Sequence, residues 1–315
     1  MAKVLVYGWY GHANVGDELM ADGLRAILPG HALRFVSRLT KDELGKADLL
    51  IVGGGSFLYA PLNMEPGVSE VLRYVRVVYA GVGIEGDVHP DHLALMARSP
   101  VFARSNGAGV PNVKLIPDLV YALGRGRPAG FSQPKTLLVL PNSETLPSRS
   151  SPAYVRPAWE YFKSEFCQFV DEVVSDGWSV TFAPFCDDAR RRDSWAASEL
   201  VGHCDKRHAL KQLSPDWVKD GSFATIAMEY GRHSVVLTQR FHGAVIARAT
   251  STPCVVVHHH DKLAKLDPRS FSLVPFYGVR KDLLHAALKG VPNPEKADGS
   301  SAFDELRAAV TNALA

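Results

Sequence analysis

A chain of 315 residues, 46% hydrophobic and 22% charged, has the composition of a soluble globular protein and the length for two domains. A formal net charge of +2 gives no global field for nucleic acid, and no apolar run reaches the roughly 20 residues of a membrane span. Cys167, Cys186, Cys204 and Cys254 form no CxxC pair, which fits reduced thiols in a cytoplasmic protein.

The first apolar run, Val4-Leu5-Val6-Tyr7, predicts a strand close to the amino terminus, so no secretory leader is expected. It opens into YGWYGHANVGDELMADGL at residues 7–24, a glycine-rich loop leading into a helix at 17–28 with Leu19, Met20, Leu24 and Ile27 on one face. Gly8, Gly11 and Gly16 are spaced GxxGxxxxG, not as the dinucleotide fingerprint GxGxxG. Asp17 and Glu18 in the first turn cap the helix and repel a phosphate on the same amides. Carboxylates there suit sugar hydroxyls better than pyrophosphate.

Strands follow at 33–37 and 48–52, the second running into Gly53-Gly54-Gly55-Ser56, and at 75–81, followed by Val82-Gly83. A helix at 91–98 and short strands at 101–104 and 113–116 complete a βαβ series. Strands that end in glycine predict an edge where backbone approaches a ligand closely. GRGRPAGFSQP, beginning at Gly124, has no periodicity and reads as a linker.

A second series follows: strand 136–140, helix 159–175, strand 178–185, helix 188–200, helix 223–230, strand 234–238, helix 242–250 and strand 254–258. The run His258-His259-His260 reads as the end of that last buried strand. His203, Cys204 and His208 lack a recognisable zinc spacing, so no metal is expected. The predicted fold is α/β, with two doubly wound Rossmann-like domains, 1–126 and 136–315, joined by a linker at 127–135 and facing a central cleft. A closing helix at 302–314 can pack on either half.

The most specific stretch is Thr238-Gln239-Arg240-Phe241-His242-Gly243-Ala244, passing from a buried strand into a helix. Arg240 and His242 fall at the strand end and the first helical turn, suiting a carboxylate or phosphate and a proton donor respectively.

Taken together, YGWYGHANVGDELM, LLIVGGGSFL, YAGVGIEG, VFARSNGAG, IPDLVYAL and TQRFHGAVIARATSTPCVVV resemble the polysaccharide pyruvyl transferase family in order and spacing. The resemblance implies a GT-B-like fold and transfer of the pyruvyl group of phosphoenolpyruvate onto two hydroxyls of a sugar, giving a cyclic ketal and phosphate. It matches His242 to the histidine of the family's RxHG and Arg104 to its arginine in the FARS region. Lys262 falls where members often carry a lysine, with Lys265 as the alternative. The chain departs from the family at Ser105-Asn106 and at His259-His260-Asp261.

The expected site therefore comprises His242, Asp17 and Glu18 as catalytic residues, with Asp118 a further candidate base. Arg104, Arg240, Lys262, Asn14, Gly54, Gly55 and Ser56 are the expected substrate contacts. The donor is phosphoenolpyruvate, with no cofactor. The partner is a saccharide or lipid-linked saccharide, which implies peripheral membrane association through the acceptor. Three alternatives share the pattern: a GT-B-like glycosyltransferase using a nucleotide sugar, a catalytically silent binding protein of the same fold, and a nicotinamide-dependent oxidoreductase reading Ser37-Arg38.

Overall fold

The computed structural model describes residues 2–12, 14–105, 110, 112–124, 134–148, 150–187, 192–218, 222–264, 266–294 and 300–315. Most of the predicted linker (residues 125–133), Asn106, residues 188–191 of a predicted helix, and Lys265 lie outside the described residues. The chain divides into two compact units. The first comprises Met1–His12, Gly16–Leu123 and Asp298–Ala315, and the second Ala13–Val15 with Gly124–Ala297.

The first unit holds β1 (Lys3–Tyr7), β2 (Ala32–Val36), β3 (Leu49–Gly53), β4 (Val77–Val82), β5 (Val101–Ala103) and β6 (Val113–Leu115). They form one all-parallel sheet in the order β2-β1-β3-β4-β5-β6. Every residue of β3 and β4 is buried, the mark of central parallel strands covered on both faces. The helices are α1 (Val15–Ile27), α2 (Lys41–Gly45), α3 (Val68–Leu72) and α4 (Pro90–Met96). Sequence order reverses direction across the sheet between β1 and β3, and the carboxyl ends at such a reversal are where open α/β sheets bind ligands.

The second unit holds β7 (Thr136–Leu140), β8 (Ser179–Phe182), β9 (Lys211–Gln212), β10 (Val235–Thr238), β11 (Cys254–His258) and β12 (Ser272–Pro275). These too are all parallel, ordered β12-β11-β10-β7-β8-β9, with the reversal between β10 and β7. Its helices are α5 (Val155–Ser175), α6 (Asp193–His203), α7 (Phe223–Arg232), α8 (Phe241–Ala249), α9 (Asp261–Ala264) and α10 (Lys281–Lys289). Trp159, Phe162, Phe166 and Phe169 recur at helical spacing along α5 and bury against Phe182 and Phe276.

The last helix, α11 (Ser300–Leu314), belongs to the first unit and buries Phe303, Leu306 and Val310. Lys114 Nζ meets Glu305 Oε2 at 2.8 Å, Arg76 Nη1 donates to Ala313 O at 2.8 Å, and Arg307 Nε to Ile27 O at 2.8 Å.

Several element predictions need correction. Helix α5 starts at Val155, because Pro157 sits in the first turn, where its missing N–H has no intrahelical partner to lose. Strand β8 stops at Phe182, and the backbone beyond it turns aside so that Phe185 and Cys186 donate to Asp193. The short elements α2, α3, β9 and α9 were not predicted, nor were β12, a four-residue edge strand, and α10, a helix with only Leu284 and Leu288 buried. Among the described residues no helix is long and apolar enough to cross a membrane.

Candidate functional site

In the first unit the glycines after β1, β3 and β4 let three strand ends approach. A Cβ on Gly8 would lie 2.1 Å from Gly53 O, so this junction of β1 and β3 admits only glycine. Tyr10 fills the gap, its hydroxyl donating to Gly53 O at 2.8 Å. Burial, then the charges of Asp17 and Glu18, push the Tyr10 pKa up, so it is a neutral donor. Gly54 and Gly55 adopt φ of 73° and 74°, the left-handed region that side chains disfavour.

Glu18 Oε1 accepts from the amides of Gly11 at 2.7 Å and His12 at 3.3 Å, so the loop closes on its own carboxylate. Asp17 is 6% exposed, and its Oδ1 would lie 3.4 Å from a Cβ on Gly55. Arg104 lies just past β5 and pairs with Asp118 at 2.6 Å, both side chains nearly buried. Its other nitrogen, Nη2, reaches Ser56 Oγ at 3.4 Å, and Asp118 also accepts from Val120 N at 3.0 Å. Asp17, Glu18, Gly54, Gly55, Ser56, Arg104 and Asp118 all therefore lie on the first unit. Asn14 is in the segment that clusters with the second, where it bridges Cys186.

In the second unit β10 ends at Thr238, whose Oγ1 accepts from Arg240 N at 2.9 Å and turns the chain into α8. A Cβ on Gly243 would lie 2.3 Å from that same Oγ1, so glycine sets the closeness of helix and strand. Arg240 is 8% exposed, and its Nε and Nη2 both donate to Asp193, which is fully buried. Asp193 also accepts from Ser143 N at 2.9 Å and Cys186 N at 2.9 Å. Burial opposes the charge of Arg240, but the Asp193 carboxylate outweighs it and its pKa is raised.

His242 stands in the first turn of α8, half-buried beside Phe241 with ring centroids 5.5 Å apart. Lys262, from α9, sets its Nζ 4.4 Å from the centre of the Phe241 ring. The structure thus places Arg240, Phe241 and His242 in consecutive positions after β10, with Lys262, just past β11, over the Phe241 ring. The first-turn amides of α8 point the same way, carrying the positive end of the helix dipole.

A polar group that sequence reasoning missed lies at the β7–β10 reversal. Gln239 Oε1 accepts from Asn142 N at 3.0 Å, and Asn142 Nδ2 stands 3.3 Å from His259 Nε2. Burial, then the neighbouring His260, lowers the His259 pKa to about 4, so its imidazole is neutral. The available signal was a polar residue directly after each of two predicted strands, in Pro141-Asn142 and Thr238-Gln239.

Two all-parallel Rossmann-like sheets, each with candidate side chains at its strand carboxyl ends, make this a GT-B-like α/β protein. The chain belongs to the polysaccharide pyruvyl transferase family, which its residues 14–261 match. Among solved structures it is similar to the UDP-GlcNAc 2-epimerase of Methanocaldococcus jannaschii, with a TM-score of 0.60 and 11% identity over 99% of this chain and 100% of that one. The Staphylococcus aureus MnaA–UDP co-structure gives 0.62 and 10% over 100% and 97%. The Neisseria meningitidis UDP-GlcNAc 2-epimerase bound to UDP-GlcNAc gives 0.56 and 9% over 99% and 100%. These likenesses define the fold. No curated protein matches the sequence.

Proposed function

We propose that this transferase-family protein moves the pyruvyl group of phosphoenolpyruvate onto two hydroxyls of a saccharide, forming a ketal and releasing phosphate. The observation that carries the reading is the placement of His242 in the first turn of α8, beside Lys262 and the buried Arg240–Asp193 pair. In this reading the donor's anionic groups lie against the amino end of α8 and the Lys262 ammonium. Arg240 is bound to Asp193, so it orients the turn that carries His242.

The chemistry needs a proton delivered to C3 of the enol while a hydroxyl oxygen adds to C2. The second hydroxyl then displaces phosphate, which takes the C–O electron pair; of the two hydroxyl protons released, one replaces the proton given to C3 and the other leaves with phosphate. His242, the imidazole in the first turn of α8, is assigned the role of that acid. The acceptor is assigned to the carboxyl edge of the first unit's sheet, where Asp17, Ser56 and the Arg104–Asp118 pair lie. Arg104 belongs to this acceptor edge because Asp118 already matches its charge.

The test is incubation of the full chain with phosphoenolpyruvate and a panel of free and lipid-linked saccharides. Phosphate release together with a pyruvylated product is the expected result. Sugar transfer from a nucleotide sugar, with no phosphate released from phosphoenolpyruvate, overturns the reading.

A further inference from the structure

At the other end of the first unit's sheet, a groove of about 690 Å³ runs between α11 and the amino ends of β4, β5 and β6. The helix meets the sheet at β4 and buries Phe303, Leu306 and Val310. Its neighbouring flank carries Ala308, Ala309 and Ala313, whose short side chains leave helix and strands apart. Val77, Val101 and Phe102 make a buried apolar floor, and Lys114 Nζ stands 5.9 Å over the Phe102 ring. The Lys114–Glu305 pair joins strand to helix at one end, and Arg76 with Ala313 O joins them at the other. These ties are about 12 Å apart along α11.

The cations of the groove differ in what holds them. Lys114 is matched by Glu305 at 2.8 Å. Arg76 Nη1 donates to Ala313 O at 2.8 Å, while Arg98 donates to Leu72 O, Arg73 O and Val75 O. Val75 O belongs to the peptide bond leading into Arg76, so both guanidiniums stand at the same end of the groove. Among the described residues neither pairs with a carboxylate, and both side chains are exposed. Backbone carbonyls hold such groups in place without cancelling their charge, which leaves N–H donors and a positive field for an anion.

The two features together select the ligand. A phosphate monoester carries about two negative charges near neutral pH and accepts parallel N–H bonds from guanidinium. The groove offers no open ring face to a nucleotide base, since Lys114 covers Phe102 and Tyr74 extends into solvent, 89% exposed. Its valines and alanines suit an aliphatic chain, whose burial is favourable in proportion to the area removed from water.

We propose that this groove is a binding site for an aliphatic phosphate monoester, with its phosphate on Arg76 and Arg98 and its chain running along the alanine flank of α11. The site belongs to the first unit alone and lies at the amino ends of its strands, away from the side chains assigned to pyruvyl transfer. It stands or falls independently of that reading.

The test is calorimetric titration of the full chain with monomeric dodecyl phosphate and, separately, ethyl phosphate. Dodecyl phosphate is expected to bind at least tenfold more tightly than the ethyl ester. Arg76→Gln is expected to weaken it tenfold or more, and Ala308→Trp, at an exposed position, to abolish it, with circular dichroism unchanged in both. Arg76→Gln loses one exposed hydrogen bond, so it decides alone if the tryptophan variant fails to fold. Equal affinity of parent and Arg76→Gln overturns the proposal, as does equal affinity for the two esters. Displacement of the dodecyl ester by saturating phosphoenolpyruvate overturns it too, because the ester then occupies the donor position. Binding to phosphatidylglycerol vesicles without binding of the monomeric ester marks a membrane-docking face instead and equally overturns it.

Discussion

Arg240 and Asp193 are joined through two nitrogen–oxygen contacts inside the second unit, and the same carboxylate closes the backbone amides of Ser143 and Cys186. One acidic side chain thus fixes the exits of β7 and β8 and the turn that presents His242. Asp193→Ala strands a buried guanidinium and the amides of Ser143, Phe185 and Cys186, so a loss of about 3–5 kcal/mol is expected. Urea unfolding monitored by circular dichroism measures it, and a loss below about 1 kcal/mol would show that the pair is not a structural keystone.

His242→Ala and His242→Asn are expected to remove pyruvyl transfer by at least a hundredfold while leaving the unfolding midpoint within a few degrees of the parent. His242 is half-buried and begins a helix, so little packing is lost. Phosphate release from phosphoenolpyruvate at near-parental rate in the alanine variant would take His242 out of the mechanism.

Arg104→Lys keeps a charge beside Asp118 but loses the planar fork that also reaches Ser56. Acceptor KM should rise severalfold with donor KM unchanged. The reverse split, seen in steady-state titrations of both substrates, would assign Arg104 to the donor.

Gly8→Ala places a methyl 2.1 Å from the carbonyl oxygen of Gly53, which is backbone and has no rotamer to give. A loss of more than about 2 kcal/mol is expected, with β1 and β3 forced apart. Thermal melting checks this, and Gly45→Ala, whose Cβ meets nothing within 4 Å, is the control.

Stability should fall on acidification through the range between ordinary and buried histidine. Burial lowers His92 to about 4, and burial with His260 lowers His259 to about 4, from 6.5. The unfolded chain binds more protons than the folded one between those values, so the contribution is complete above pH 6.5 and is lost as pH falls towards 4. Each imidazole should account for on the order of 2–3 kcal/mol. Denaturant titrations of the parent and His259→Gln across pH 7 to 4 check the slope; an unchanged slope in the variant would clear His259 of the effect.

The fold was legible because its signals are local. Uninterrupted runs such as Leu49–Gly53 and Cys254–His258 leave no face for water, and the glycines that end them mark close approach at the strand exits. The RFHG turn was legible for the same reason, as a strand and a helix meet in consecutive residues. What stayed hidden depends on long-range contacts. Nothing near Asp193 in sequence says that it will meet Arg240, 47 residues away, and Glu85 looks like a loop residue until Ser56 and Arg104 arrive beside it. Glu18 was read as facing a ligand, whereas its carboxylate holds the amides of Gly11 and His12. A capping carboxylate and a ligand-facing one have the same sequence signature.

The first unit is discontinuous: its sheet is made from the first part of the chain, while α11, which buries its own Phe303, Leu306 and Val310, comes from residues 300–314. On the ribosome these parts are separated by the whole of the second unit, Gly124–Ala297. The later unit thus has all its strands and helices while the earlier one still lacks a wall. The nascent sheet must wait with an apolar strip uncovered, and its closure is timed by translation of α11, making this helix the latch on a domain begun almost three hundred residues before.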